Sequence, residues 1–164
     1  SVIPDCETIK IAIGDGGEGS LDAVLHVGFT SHSLEVSGPL GNPVTAQIAI
    51  KGDTAFIEMA QASGLSQLPG GKKDALNATS FGTGQLILAA LDKGATNIIL
   101  AIGGTATTDA GAGALQALGA KLLNSSGEEV APGGAALINC VSVDESDLDS
   151  RLANVSFTLS LIHI

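Results

Sequence analysis

The chain has 164 residues, 45% hydrophobic and 15% charged, enough for one ordinary domain with a real core and too apolar for a disordered chain. A formal net charge of -10 argues against nucleic-acid binding, which needs Lys/Arg stripes to displace counterions. It does not exclude an anionic nucleotide, because local N–H groups and a cation outweigh a distant mean charge.

Aromatic residues make up only 2%, with no Trp or Tyr, so the core must be Ala, Val, Ile and Leu, as in closely packed α/β layers. Cys6 and Cys140 show no metal-ligand or CxxC spacing and read as reduced thiols of a cytoplasmic protein. No apolar run reaches membrane-spanning length and no charged leader precedes an apolar segment, so no membrane partner is expected.

In chain order, Thr8 to Ile13 alternates as a first strand. Gly14-Asp15-Gly16-Gly17-Glu18-Gly19-Ser20 follows, and Leu21, Val24 and Leu25 then recur at helical spacing. This strand–glycine loop–helix unit is neither a dinucleotide fingerprint nor a P-loop. Its carboxylates, Asp15 and Glu18, stand where Mg²⁺ or substrate hydroxyls could be held; equally, Asp15 could cap the helix and Glu18 complement its dipole.

Residues 31–59 read as an antiparallel meander, with a Gly-Pro turn over 38–43 and clear alternation from Val44 to Ile50. That change of style places a domain boundary near residue 30. Glu58 ends an apolar strand, where a carboxylate is costly unless paired, hydrated or ligand-bound; alternatively it shares an exposed face with Phe56. Gly82-Thr83-Gly84 opens a helix closed by Gly94 and is a second candidate anion site.

The stretch from Thr96 to Gly119 organises the rest. Ile98, Ile99, Leu100 and Ile102 form a short apolar run suited to a parallel strand covered on both faces. Gly103, Gly104, Thr105, Thr107 and Thr108 make a small-residue loop, and Thr108 or Asp109 can cap the Ala/Gly helix beyond it. The loop is either a phosphate or carboxylate cradle, with Asp109 available to a metal ion or hydroxyl, or a tight structural turn. Farther on, a short strand from Ala120, a turn over 124–127, a break at 132–134, an acidic surface run over 144–149 and a strand from Val155 are expected. The last six residues, LSLIHI, match a translated sequencing adapter and are expected to be a non-native tail.

Five ordered stretches, GDGGEGSLDAV, GPLGNPV, FIEMAQASGL, TSFGTGQLI and GGTATTDAGAGALQALGA, together resemble the type I glycerate kinases. Relative to that family's pattern, Gly14 replaces Ala, Ser20 replaces Thr, Gln85 replaces Glu, Thr105 replaces Ser, Thr108 replaces Asn and Ala110 replaces Gly. The resemblance implies an internal fragment of a two-domain α/β fold, a Rossmann-like domain plus an inserted mixed α/β domain. Residues 1–30 would belong to the first, 31–158 to the second, and 159–164 to the tail.

It also implies phosphorylation of D-glycerate by ATP with Mg²⁺, at the 2-hydroxyl, in the full-length protein, this piece alone being inactive. Glycerate and a nucleotide would then be the small-molecule partners. On that reading Asp15, Asp109 and Glu58 are the catalytic candidates, and Asp109 is also the metal ligand. Gly16, Gly17, Glu18 and Ser20 would meet substrate. Gly82, Thr83, Gly84, Gly103, Gly104, Thr105, Thr107 and Thr108 would meet phosphate. A non-catalytic module that binds an organic anion is the alternative.

Overall fold

The computed structural model describes residue 9 and residues 12–161. Of the expected first strand over 8–13, residues 8, 10 and 11 lie outside the described residues, and Ile9, Ala12 and Ile13 belong to no strand.

The first described element is the short helix α1 (Ser20–Leu25). The meander follows as β1 (Thr30–Ser37), β2 (Pro43–Lys51) and β3 (Thr54–Glu58), each pairing antiparallel with the next. Helices α2 (Ala60–Ser63) and α3 (Phe81–Asp92) then carry the chain back to β4 (Asn97–Ala101), parallel to β3. After α4 (Ala112–Ala117), the strands β5 (Lys121–Leu123) and β6 (Ser142–Asp144) form a small antiparallel pair. Strand β7 (Ser156–Ser160) returns beside β4, also parallel, completing a five-stranded mixed sheet ordered β1-β2-β3-β4-β7. The chain is thus mixed α/β. Leu159 and Ser160, counted in the expected tail, pair with Leu100 and Ala101.

Strand alternation sorts the core into two layers. Ala46, Ile48, Ala55, Ile57 and Ile98 face α3, whose Leu86, Ile87, Ala90 and Leu91 fill the space beneath them. Ala49, Phe56 and Ile99 point the other way, onto Leu21, Val24 and Leu25 of α1. Strand β4 is therefore covered on both faces, as its apolar run predicts. The face shared by Phe56 and Glu58 is covered by α1 as well, so the exposed-face alternative for Glu58 does not hold. A third cluster, Ala112, Leu122 and Val130, seats the β5–β6 pair against α4. No helix among the described residues is long and apolar enough to cross a membrane.

The acidic run before β7 is surface, as expected, but part of it is paired. Asp149 accepts from the Arg151 backbone N–H at 3.0 Å and pairs with its guanidinium at 2.7 Å, while Arg151 also reaches Asp92 at 2.8 Å. The Arg151 hydrogen bonds pull the Asp149 carboxyl down to about 2. A depressed carboxyl favours the folded state above its unfolded value and loses that contribution as pH falls through the folded value. In a carboxyl-detected NMR titration of Arg151→Ala, the Asp149 midpoint is expected to rise from about 2 toward the ordinary Asp value of about 4; an unmoved midpoint would contradict the pairing.

Candidate functional site

The parallel register brings the carboxyl ends of β3, β4 and β7 level, with Glu58 beside Ala101 and Ala101 beside Ser160. In open α/β sheets this edge is where ligands bind. The chain crosses it in two loops, Gly14–Gly19 ahead of α1 and Gly103–Asp109 after β4. They lie directly on each other. The Gly103 N–H donates to the Gly16 carbonyl at 2.8 Å, and the Ile102 N–H donates to the Ser160 carbonyl at 3.0 Å. A Cβ on Gly103 would sit 2.7 Å from the Gly16 oxygen, so only glycine permits this approach.

Glu58 is 1% exposed and lies beneath the first loop. Its Oε1 accepts from the Gly19 N–H at 3.2 Å and its Oε2 from the Leu21 N–H at 2.9 Å. The carboxylate therefore occupies the amino end of α1, satisfying N–H groups that would otherwise be open to an anion. Both Glu58 oxygens are thus engaged by the backbone. The capping alternative for Asp15 is corrected: Asp15 does not cap α1, and its Oδ1 accepts from Gly17 N–H at 2.9 Å within the loop. Ser20, expected at the substrate, is buried and takes the Gly16 N–H at 2.9 Å. Gly16 and Gly17 are likewise engaged, since Gly17 also gives its carbonyl to Ser20 N–H at 3.2 Å.

Asp109 repeats the arrangement. Also 1% exposed, its Oδ2 accepts from Ser80 N–H at 2.7 Å, Ser80 Oγ at 2.8 Å and Gly113 N–H at 3.1 Å, and its Oδ1 from Gly111 N–H at 3.2 Å. Ser80 Oγ in turn accepts from Ala114 N–H at 2.9 Å. The carboxylate ties the start of α4 to the start of α3, its Oδ2 crowded with donors and its Oδ1 taking a single N–H. The helix-capping role expected of Asp109 fits these bonds; the catalytic and metal-ligand roles would have to work through Oδ1. Thr79 and Ser80, which pattern reading passed over as a lead-in, are its partners.

Gly82, Thr83 and Gly84 are buried inside the first turn of α3. A Cβ on Gly82 would meet the Ser37 carbonyl and one on Gly84 the Ala114 carbonyl, while Thr83 Oγ1 bonds Ser63 Oγ at 2.9 Å. These residues pack α3 closely on β1 and α4, a role that their glycines serve whether or not phosphate binds nearby.

What remains open at the edge is a polar rim. Asp15, Glu18, Gly104, Thr105 and Thr108 are exposed and Thr107 is half-buried. The site of a Cβ on Gly104 is 3.5 Å from Glu18 Cγ, so the loops meet here too. The Gly104 and Thr105 N–H groups find no acceptor among the described residues. Thr105 Oγ1 lies 3.0 Å from Thr107 Oγ1. Thr108 is drawn aside, donating its hydroxyl to the Ala75 carbonyl at 2.7 Å. No group of three or more His, Cys, Asp or Glu is clustered for a metal among the described residues.

The architecture is that of an α/β protein whose ligand-facing edge is a pair of interlocked glycine loops. The sequence model of the glycerate kinase family matches residues 1–161, and the chain belongs to that family. It is 50% identical over 155 residues to a glycerate 2-kinase of Escherichia coli K12, covering 92% of this chain and 40% of that protein. It is 48% identical over 164 residues to a glycerate kinase of Bacillus subtilis 168, covering 98% of this chain and 43% of that one. A crystal structure described as glycerate kinase 2 from Salmonella typhimurium LT2 superposes with a TM-score of 0.86 at 45% identity, over 95% of this chain and 43% of that one. The chain thus spans about two fifths of the length of these relatives.

Ala110, which stands where the family pattern has Gly, holds a φ of 52°, left-handed backbone that costs a side chain about 1 kcal/mol. Ala110→Gly is expected to raise stability by up to about 1 kcal/mol in a urea titration, part of the relief being offset by unfolded-state entropy. Asp109→Asn should lower it by about 2–3 kcal/mol, because an amide group would face donors and leave at least one unpaired. Equal midpoints for Asp109→Asn and the parent chain would refute the staple.

Proposed function

We propose that the protein to which this chain belongs transfers the terminal phosphoryl group of ATP to the 2-hydroxyl of D-glycerate, with Mg²⁺. Family membership supports the reaction class, and the names of the relatives support the acceptor. The observation that carries the reading is the rim. Two exposed carboxylates, Asp15 and Glu18, stand beside exposed N–H groups and hydroxyls at the carboxyl end of a parallel sheet.

Phosphoryl transfer asks the protein for placement and charge stabilisation rather than covalent chemistry. Asp15 suits the acceptor hydroxyl. Its Oδ1 is fixed by Gly17 N–H, leaving Oδ2 to take the hydroxyl proton as the oxygen attacks phosphorus and ADP departs. The Gly104 and Thr105 N–H groups and the Thr105 and Thr107 hydroxyls suit a carboxylate or phosphate. Glu18, exposed beside Gly104, would hold Mg²⁺ together with nucleotide phosphates, since this ion prefers a few carboxylate oxygens plus phosphate and water. The ion would supply neutralisation of the phosphate charge.

The test is a chimaera in which this chain replaces the matching segment of the Bacillus subtilis relative. It should release ADP in a glycerate-dependent manner, and Asp15→Asn should cut kcat at least about 100-fold with unchanged melting. Near-normal turnover would remove Asp15 from the reaction. Glycerate binding by calorimetry without turnover would favour a non-catalytic anion-binding module. The 164-residue chain alone is expected to show no turnover.

A further inference from the structure

We infer that Glu58 is a positioning residue, which sets the Gly14–Gly19 loop over the sheet edge and thereby the affinity for the phosphoryl acceptor. The inference rests on the kinase reading above. Glu58 is the last residue of β3, pairs in register with Ala101, and points to the α1 side of the sheet. Its two oxygens hold Gly19 and Leu21, residues 39 and 37 positions away in sequence. No ion pair to Glu58 occurs among the described residues, so these backbone N–H groups are its partners there.

The consequence is mechanical. Asp15 and Glu18 sit on a loop whose backbone takes left-handed conformations at Gly16 and Gly19. Among the described residues, it is held by Ser20 Oγ on Gly16 N–H, Gly103 N–H on the Gly16 carbonyl, and Glu58 on Gly19 and Leu21. The Glu58 contact ties the loop to a central strand of the sheet. The rim carboxylates are thus referenced to the core through a residue whose own oxygens are occupied by backbone N–H groups. Displacement of such a support by about 1 Å is enough to spoil a site.

In the parent chain, hydrogen exchange followed by NMR should show Gly19 and Leu21 protected. In Glu58→Gln, whose amide nitrogen cannot accept, exchange at one or both should accelerate at least about tenfold while Ile57 and Ile99 keep their protection. In the chimaera, the same substitution should raise KM for glycerate about tenfold, and KM for Mg-ATP with it, because Glu18 rides on the same loop. A purely structural role would lower the active fraction, hence apparent kcat, and move neither KM.

If Glu58→Gln does not fold, Ser20→Ala loosens the same loop through Gly16 and should raise KM for glycerate in the same way. Unchanged exchange at Gly19 and Leu21, or an unchanged glycerate KM in an active chimaera, overturns the inference. An unsubstituted chimaera with no glycerate-dependent turnover, but with accelerated exchange in Glu58→Gln, would overturn the kinase reading and uphold Glu58 as the anchor of the loop.

Discussion

Two buried carboxylates, each seated on the amino end of a helix, hold this structure together at its functional edge. Glu58 closes α1 and Asp109 closes α4. Burying a carboxylate is costly, and in both cases converging backbone N–H donors, joined at Asp109 by the Ser80 hydroxyl, offset that cost. Because the donors come from segments distant in sequence, each carboxylate also fixes tertiary geometry. Glu58 ties the first loop to β3, and Asp109 ties α4 to the residues that begin α3.

That arrangement decides where chemistry can occur. A helix start after a strand and a glycine turn is an anion site only while its N–H groups are free. Here the protein supplies the anions itself. The groups left exposed belong to the loops above the helix starts, Asp15, Glu18, Gly104 and Thr105 among them. The glycines that mark the loops in sequence serve mainly to let backbones touch, as between Gly103 and Gly16 or between Gly84 and α4.

Much of the fold was legible along the chain. The alternation in β1 and β2, the apolar run of β4, the helix before it and its glycine stop all follow from local pattern and all occur. The contact of the two glycine loops, Gly103 on Gly16, joins segments far apart in the chain and comes from the structure. The site residues were less legible. Gly-Thr-Gly at the start of α3 looks like an anion turn in one dimension and is a packing stripe in three. Glu58 and Asp109 look reactive because they are carboxylates at loop edges, yet the donors to Glu58 and the Ser80 donors to Asp109 lie on segments that no local window contains. The partner of Asp109, Ser80, could have been sought in the hydroxyl pair Thr79-Ser80 ahead of the helix, a signal too common to stand alone.

The sequence by itself determined the α/β class, the order of elements and the family, because hydrophobic period and glycine spacing act over short ranges and five such blocks in one order are specific. Only the tertiary structure decided which carboxylates are buried supports and which face outward. For Glu58 all the donors, and for Asp109 those of Ser80, come from 29 or more residues away, and no local window shows that these oxygens will be filled.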